Sequence, residues 1–315
     1  MRTHEHDIPL VIAFTPDYFI PAATCLLSVF ENTNPEERFH VICLLSEELP
    51  ERLKQKMHLV GNRYARFSFI NLQGMLPDIY VDEKYTVAAS FRLLLPDLLP
   101  EYDKVMYIDC DVAVRNDLAL LYRSVELGDN YLAAVFEAPM DFQEEHLRNI
   151  GCDPSAYINS GFLIMNLALL RQDNMVEKFM EASKAEYLEF PDQDVLNKVC
   201  KNRIVGLPPC YNSIRTFYLP QYRHFFLRRY TEQDLEAVLL HGTVHYTGAK
   251  PWNRFTVEFQ VWWRYYDRLP EKIKEEGRIN KKMYYLYKLY ETVPGMLLIN
   301  GVQSLYRKFK YCQKR

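Results

Sequence analysis

Residues 103–114 constrain the fold more than any other stretch of the chain. Their middle part, residues 105–108, is apolar and rich in side chains that favour β-structure, and it is followed at once by Asp109 and Asp111. This pattern predicts a buried strand that carries both aspartates at its carboxyl end. Open α/β sheets bind their ligands outside the carboxyl ends of the strands, so we expect a binding site at this position.

The spacing of the two aspartates indicates a cation site. Side chains at positions i and i+2 of a strand share one face, and two neighbouring carboxylates repel each other unless a positive charge lies beside them. Mg²⁺ and Mn²⁺ prefer oxygen ligands and are usually held by one or two carboxylates together with substrate phosphates. The pair therefore favours a metal ion with a diphosphate-bearing ligand, and two solvated acids after a strand are the plain alternative.

Apolar runs and helical patterns alternate along the first half of the chain. Strands are predicted at residues 10–14, 39–45, 65–70 and 131–136, and helices at residues 20–30, 50–59, 85–99 and 141–149. A polar Asn-Ser-Gly turn at residues 159–161 is expected to precede a further apolar strand. Strands separated by helices predict a doubly wound α/β sheet.

Two polar patterns allow both a structural and a functional interpretation. Arg92 lies in an otherwise apolar helical face, where an arginine either pairs with an acid or clamps a phosphate or an active-site carboxylate. The Asp-Gln-Asp sequence at residues 192–194 follows a proline, and aspartates at a helix start are favoured for reasons unrelated to catalysis. For Arg92 the residues leave both alternatives open, whereas residues 192–194 taken alone favour the structural interpretation.

The segment after residue 238 places an imidazole, a glycine turn and a lysine close together. Residues 238–240 are apolar and predict a strand, after which come His245, Gly248 and Lys250. Imidazole is a good ligand for Mn²⁺ and a poor one for Mg²⁺, so His245 joining the two aspartates would favour Mn²⁺. Lys250 would supply a positive charge to a phosphate.

Composition and charge argue against several classes of protein. The 315 residues carry a net charge of −3, and residues 271–315 hold eleven lysines and arginines against four glutamates, so this end carries +7 and residues 1–270 carry −10. A general nucleic-acid-binding protein is therefore not expected. Seven scattered cysteines without metal-ligand spacing argue against a disulfide framework and a structural zinc site, and they favour a reducing compartment.

The C-terminal end mixes cations with aromatic residues, most densely at residues 281–290 and 305–311. Such segments suit an anionic membrane surface, while a solvated helical extension whose tyrosines pack on the catalytic domain is the alternative. No stretch reaches the roughly 18 apolar residues of a membrane span, and the polar N-terminus does not resemble a signal peptide. We expect a cytoplasmic protein, with peripheral membrane attachment through residues 271–315.

Six segments together resemble glycosyltransferase family 8, the retaining transferases that use sugar nucleotides and include bacterial lipopolysaccharide galactosyl- and glucosyltransferases. The matching segments are residues 13–18, 91–93, 107–112, 159–161, 192–194 and 245–252. They occur in the family's order between residues 8 and 265. The resemblance implies a single Rossmann-like GT-A catalytic domain with a mixed, mostly parallel sheet over residues 1–270, followed by a helical, basic and aromatic extension over residues 271–315.

The resemblance also implies a metal and a diphosphate site, carried over position by position. Asp109, Asp111 and His245 would coordinate Mn²⁺, with Mg²⁺ as an alternative, and the metal would bridge the diphosphate of a UDP-sugar. Gly248 and Lys250 would contact the phosphates.

The remaining donor contacts implied by the resemblance concern the uridine and the sugar. Ala13, Thr15 and Tyr18 would line the uridine pocket, and Cys110, between the two aspartates, would also lie on the donor-binding surface. The family usually has an acid where Thr15 stands, so the chain departs from the pattern there. Around the sugar the resemblance places Arg92, Asn159, Asp192 and Gln193.

The sequence thus predicts a hexosyltransferase that moves galactose or glucose from a UDP-hexose to a glycan or lipid-linked saccharide, with Asp192 and Gln193 as catalytic side chains. Whether Gln193 acts as a transient nucleophile or only as a dipole is left open. Two alternatives come from other classes. One is an Asp-x-Asp phosphohydrolase, and the other is a catalytically idle protein that binds a sugar nucleotide or a glycan.

Overall fold

The computed structural model describes residues 7–61, 63–76, 87–185, 188–277 and 279–302, and the backbone of the last helix as far as residue 312. The start of the helix predicted at residues 85–99 lies outside these ranges. The strands are β1 (Ile8–Phe14), β2 (Phe39–Leu45), β3 (Ala65–Asn71), β4 (Lys104–Asp109), β5 (Val112–Ala113), β6 (Leu132–Phe136), β7 (Ile158–Asn166), β8 (Ile204–Gly206), β9 (Ser213–Ile214) and β10 (Val244–His245).

A seven-stranded sheet with the order β3-β2-β1-β4-β7-β6-β8 forms the centre of the molecule. Its strands share one direction except β7, which runs antiparallel to both β4 and β6. The prediction of a mixed, mostly parallel sheet is therefore confirmed. A second, small sheet contains β5, β10 and β9 in that order.

The direction of β7 corrects one prediction and positions the site. Residues 159–161 do not form a turn before the strand but belong to β7 itself. Because β7 is antiparallel to β4, its first residues lie at the carboxyl end of β4. The pairing of Ile108 with Phe162 brings residues 159–161 next to Asp109.

Fifteen helices are assigned within the described residues. They are α1 (Phe19–Glu31), α2 (Glu51–Gly61), α3 (Val87–Ser90), α4 (Leu95–Leu98), α5 (Leu118–Ser124), α6 (Asp141–Asn149), α7 (Leu167–Gln172), α8 (Met175–Ala182), α9 (Pro191–Val199), α10 (Arg223–Arg229), α11 (Glu232–His241), α12 (Phe259–Arg268), α13 (Glu271–Lys274), α14 (Lys281–Tyr290) and α15 (Val293–Cys312). None of them combines the length and the apolar character needed to cross a bilayer.

One further element prediction is wrong, and another is correct only in part. Residues 238–240 were expected to form a strand but lie in α11, which begins with a capping box in which Thr231 and Asp234 satisfy each other's backbone N–H groups. The described part of the helix predicted at residues 85–99 is divided into α3, a 3₁₀ turn at Phe91–Leu94, and α4. The 3₁₀ turn rotates Arg92 toward the sheet edge, as described below.

The inner strands are buried on both faces, as expected of a sheet covered by helices, whereas the edge strands β3 and β8 are only partly buried. Along β1, Leu10 and Ile12 face a core layer that includes α1 and α12, whereas Val11 and Ala13 face a second layer that includes α4 and α9. The alternation leaves the carboxyl ends of β1 and β4 at one edge of the sheet, where Ala13 is paired with Asp109.

The C-terminal extension packs its aromatic residues on α12. The rings of Trp263 and Tyr287 are stacked with their centroids 6.1 Å apart, and the ring of Tyr284 lies 5.5 Å from Trp263. Lys288 forms an ion pair with Asp267. The prediction that this extension is helical is confirmed. The packing also matches the alternative in which the tyrosines of the extension contact the catalytic domain. The domain boundary at residue 270 stays a prediction.

We expect Tyr287→Ala to lower the free energy of unfolding by about 3 kcal/mol, because it empties a buried position that is packed against Trp263. Tyr287 is 3% exposed and Tyr285, on the same helix, is 68% exposed. Tyr285→Ala is the matched control and should change the free energy of unfolding by less than about 0.5 kcal/mol. Urea unfolding followed by tryptophan fluorescence measures both values, and equal effects would show that α14 is not packed as described.

Candidate active site

Three chain segments bring Asp109, Asp111 and His245 together. Asp109 ends β4, Asp111 precedes β5, and the antiparallel pairing of β5 with β10 places His245 opposite Val112. The His245 Nε2 atom lies 3.4 Å from Asp111 Oδ1 and 3.8 Å from Asp109 Oδ2. One potential ligand atom from each of the three side chains lies within 4.8 Å of the other two.

The ligand atoms of this group and the room around them suit a divalent cation. Two carboxylates and one imidazole suit Mn²⁺ better than Mg²⁺. Gly161 provides the space, because a Cβ atom at this position would lie 2.1 Å from His245 Cε1 and 3.0 Å from Asp109 Oδ2. A side chain on residue 161 would therefore push the imidazole away from the carboxylates.

Asn212 orients the imidazole and was not predicted from the sequence. Its Oδ1 atom lies 3.0 Å from His245 Nδ1, and its own Nδ2 donates to Asn159 Oδ1 at 2.9 Å. The second hydrogen bond fixes the amide, so Asn212 Oδ1 accepts a hydrogen bond from Nδ1–H and Nε2 is directed at the aspartates. Asn212 is completely buried. Metal-binding histidines are commonly oriented by such a hydrogen bond on the other ring nitrogen.

Arg92 is a buried link between two groups of site residues. Its Nη2 donates to Asp109 Oδ1 at 2.7 Å, its Nε lies 3.2 Å from Asp192 Oδ2, and its guanidinium stacks 4.2 Å from the centroid of the Tyr107 ring. Burial acts to lower the pKa of Arg92, but the two carboxylates outweigh it and raise the pKa above its usual value. These ion pairs match the structural interpretation of Arg92, and its role as a clamp on an active-site carboxylate stays a prediction, because the acids with which it pairs are candidate site residues.

Lys250 pairs with Asp111, whereas Arg92 pairs with Asp109. Its ammonium contacts Asp111 Oδ2 and donates to the carbonyl oxygen of Tyr246 at 2.8 Å. Burial alone would raise the pKa of Asp111, but Lys250 and His245 outweigh it and hold this pKa well below its usual range. Asp111 is therefore ionised at neutral pH, as a metal ligand must be.

Asp192 and Gln193 lie in the first turn of α9 and face the start of β7. Asp192 Oδ2 accepts from Ser160 Oγ at 3.0 Å, and burial raises the pKa of Asp192 although Arg92 opposes this. The amide oxygen of Gln193 accepts from the backbone N–H of Ser160 at 3.0 Å and from Asn159 Nδ2 at 3.1 Å. Its orientation is thus fixed by β7.

Asp194 has the structural role that was the alternative for residues 192–194, because it stabilises the start of a helix. Its Oδ2 accepts the backbone N–H groups of Glu189 at 2.9 Å and Phe190 at 3.0 Å, just before α9 begins. It also accepts from the hydroxyl of Tyr157. This carboxylate holds the helix start in place and does not face the metal group.

Glu137 is a further site residue that the sequence analysis missed. Its Oε1 accepts from Asn159 Nδ2 at 2.9 Å and from Gln193 Nε2 at 3.2 Å. Burial raises its pKa, and the two amide donors oppose the rise. The available signal was an acid that directly follows the apolar strand β6, which is the same rule that identified Asp109.

The four residues assigned to uridine and the donor surface lie around the end of β1 and the metal group. Ala13 neighbours Asp109 in the sheet, and Thr15 precedes the 3₁₀ turn Pro16–Tyr18. The ring of Tyr18 meets that of Trp252 edge to face at 5.8 Å. Cys110 is buried, which together with Asp111 and Asp109 raises the pKa of its thiol. Their contacts with a nucleotide stay predictions.

Gly248 lies in the loop between His245 and Lys250 and has a φ of +94°, in the left-handed region that favours glycine. A Cβ atom placed there would meet no other atom within 4 Å. The backbone of this loop is therefore open on one side, and its predicted phosphate contact stays a prediction.

We expect Asn212→Ala to weaken Mn²⁺ binding by about 10- to 100-fold, because the imidazole loses the hydrogen bond that orients it. Isothermal titration calorimetry with MnCl₂ measures this affinity without any substrate. Asn212→Asp keeps an acceptor for Nδ1 and should retain more of the affinity than Asn212→Ala. If both variants bind Mn²⁺ like the wild type, Asn212 does not orient a metal ligand.

The sequence comparisons identify the family. The profile of glycosyl transferase family 8 matches residues 9–256. The lipopolysaccharide 1,2-glucosyltransferase of Escherichia coli strain K12 is 30% identical over 242 residues, which are 70% of this chain and 68% of that protein. Glycosyltransferase GlyE of Streptococcus pneumoniae serotype 4 is also 30% identical, over 241 residues, which are 73% of this chain and 51% of GlyE. The chain thus spans about half the length of GlyE.

The structural comparison agrees with the fold. The galactosyltransferase LgtC, solved in complex with donor and acceptor sugar analogs, superposes with a TM-score of 0.71 at 23% identity over 85% of this chain and all of LgtC. WbbM, a bifunctional glycosyltransferase, superposes with a TM-score of 0.70 at 21% identity over 88% of this chain and 53% of WbbM. These findings confirm the predicted GT-A-type fold and hexosyltransferase class, and the chain belongs to glycosyl transferase family 8.

Proposed function

We propose that this protein transfers galactose or glucose from a UDP-sugar to a glycan or lipid-linked saccharide, with Mn²⁺ and with retention of the anomeric configuration. The convergence of Asp109, Asp111 and His245 carries this proposal. Cationic Lys250 pairs with Asp111 of this group, and Arg92 connects Asp109 to Asp192. The relatives named above, a glucosyltransferase and a galactosyltransferase, support a hexose donor and do not distinguish the two sugars.

The departing diphosphate is stabilised on the side of Lys250. When bound, Mn²⁺ would be held by Asp109, Asp111 and His245 and would supply Lewis-acid and charge stabilisation to the diphosphate. Lys250 places a fixed positive charge beside Asp111. This charge also stabilises the negative charge that develops on the diphosphate as the bond to the sugar breaks. Because Asn212 and Arg92 hold His245 and Asp109 in position, these groups need little rearrangement when the substrate binds.

The sugar side is formed by Asp192 and Gln193. Positive charge develops on the sugar as the anomeric bond breaks, and a buried carboxylate and an amide dipole stabilise it electrostatically. The amide oxygen of Gln193 already accepts hydrogen bonds from Ser160 and Asn159. We therefore assign Gln193 an electrostatic role and not that of a covalent nucleophile.

The test is a panel of UDP-sugars with Mn²⁺, in which release of UDP by slow hydrolysis is followed. We expect UDP-galactose or UDP-glucose to react, and Asp111→Asn to reduce the rate at least about a hundredfold, because it removes one charge from the metal site at constant volume. Asp173→Asn is the control, since Asp173 pairs with Arg203 at the surface away from the site. Near-normal turnover of Asp111→Asn would disprove the metal assignment, and UDP binding without any release would indicate an idle sugar-nucleotide-binding protein.

We also propose peripheral attachment to an anionic membrane through the outer faces of α14 and α15. Exposed apolar side chains on these two helices are Tyr285, Leu289, Val293, Leu297, Leu298 and Val302. Lys281 and Lys282 at the start of α14 are exposed as well. Apolar and aromatic residues next to lysines suit the headgroup region, where each lysine or arginine contributes about 1 kcal/mol.

Co-sedimentation with anionic liposomes tests this attachment. We expect the full chain to pellet, high salt to release much of it, and Leu297→Ser/Leu298→Ser to pellet several-fold less, because two apolar contacts with the membrane are lost. The matched control is Leu239→Ser/Leu240→Ser, which changes two leucines on α11 that are 51% and 69% exposed. Substitution is preferable to truncation at residue 270, because truncation would uncover Trp263. Equal pelleting of the two double variants contradicts the proposed surface.

A further inference from the structure

A polar cleft of about 240 Å³ lies beside the sugar side of the site. Ala138 and Pro139 form one wall, and Arg148, Phe225 and Arg229 contribute to the others. Arg228, Glu144, Asp153 and Ser155 complete its polar rim. Its volume is below the roughly 300–1,000 Å³ typical of sites for drug-sized ligands, and it suits a group about as large as one sugar ring.

The cleft is adjacent to the catalytic centre along the chain. Ala138 directly follows Glu137, whose carboxylate is hydrogen-bonded to Asn159 and Gln193. Consecutive Cα atoms are about 3.8 Å apart, so the wall of the cleft begins one residue from a contact of the proposed catalytic amide. The opposite wall is held to the same strand, because the hydroxyl of Tyr230 donates to the carbonyl oxygen of Phe136 at 2.7 Å.

Three arginines line this cleft, and one of them differs from the other two. Arg148 pairs with Glu144, and Arg228 pairs with Asp141. Arg229 donates to the carbonyl oxygen of Ser155 and stacks 4.0 Å from the centroid of the Phe136 ring.

Within the described ranges, no carboxylate lies at ion-pair distance from Arg229, and its buried Nε has no hydrogen-bond acceptor. Asp153 Oδ1 accepts from the N–H and the hydroxyl of Ser155 at 2.9 and 2.8 Å and so caps the turn. These hydrogen bonds lower the pKa of Asp153, and the charge of Arg229 adds to the effect, but the two side chains form no ion pair. The cleft therefore contains a guanidinium that is near a carboxylate without being paired to one within the described residues.

We propose that this cleft is an acceptor subsite that binds a sugar residue carrying an anionic substituent, a phosphate or a carboxylate, through Arg229 with help from Arg228. The proposal rests on the proposed transferase function, because it assigns the cleft to the acceptor. A planar guanidinium recognises a phosphate or carboxylate through paired, charge-assisted hydrogen bonds. The acceptor chain would then extend from the reacting hydroxyl near Gln193 past Glu137 into the cleft.

Saturation-transfer difference NMR with simple probes tests the subsite. The probes are glucuronate, glucose 6-phosphate and methyl α-glucoside, each added to the protein with saturating UDP and Mn²⁺ so that the predicted diphosphate site is filled. We expect one or both of the anionic sugars to bind at least about tenfold more tightly than methyl α-glucoside. A gain of this size is what one additional charge-assisted hydrogen bond provides. Binding of only one anionic sugar identifies the substituent as phosphate or carboxylate.

Variants of the same helix show where the probes bind. Arg229→Gln should weaken binding of the anionic sugars about tenfold. Arg228→Glu is a second variant, at a position whose side chain is 54% exposed, and it should also weaken binding of the anionic sugars because it reverses a charge at the rim of the cleft. Arg223→Gln is the matched control, because Arg223 pairs with Glu232 outside the cleft and the change should leave binding unaltered.

Three results would overturn the subsite. They are no binding of any probe to the wild type, equal binding of neutral and anionic sugars, and wild-type affinity in both Arg229→Gln and Arg228→Glu. Failure of the transferase function itself would show separately, as absence of UDP binding or of UDP release from UDP-sugars in the same protein sample.

Discussion

The buried guanidinium of Arg92 is the interaction on which the site depends most. It connects Asp109 at the end of β4, the carbonyl oxygen of Ser160 in β7, and Asp192 at the start of α9. These three elements come from distant parts of the chain, and two of them contribute carboxylates that would otherwise be buried close together. Removing one partner from such a buried arrangement typically costs about 3–5 kcal/mol, because it leaves an uncompensated charge. The same side chain therefore stabilises the fold and fixes the position of Asp109 relative to Asp192.

The reversed direction of β7 explains why polar residues are concentrated at this edge. In an all-parallel sheet the start of a strand lies at the edge opposite the ligand site. Because β7 runs antiparallel, Asn159 and Ser160 at its start lie beside Asp109 at the end of β4. They donate hydrogen bonds to Asp192 and Gln193. Asn159 also accepts from Asn212, and Asn212 in turn orients His245. One hydrogen-bonded network thus passes from the imidazole of His245 to the amide of Gln193.

The parts of this arrangement that could be predicted are those with a local signal. The apolar run before Asp109 predicted β4, and the acids at its end predicted the candidate metal group. Both signals are local, because burial and side-chain alternation leave a pattern in neighbouring residues. Asn212 has no such signal, since its role depends on a contact across 33 positions with His245. The strand expected at residues 238–240 proved to be helical because apolar runs of this length do not distinguish the two structures, whereas the cap at Thr231 does. Strand direction is likewise set by tertiary packing, so the place of residues 159–161 could not be deduced.

The stacking of Tyr287 on Trp263 has a consequence for how this chain can diverge in sequence. The inner face of α14 shares a core with α12. Gly277, in the segment between α13 and α14, lies so close to Ile20 that a Cβ atom there would approach Ile20 to 2.2 Å. Changes on this inner face require a compensating change in the catalytic domain. The outer face, with Tyr285 and Leu289, has no such partner in the described residues and can vary independently. Two faces of one helix are thus free to evolve at different rates, the inner one together with the domain against which it packs and the outer one independently of it.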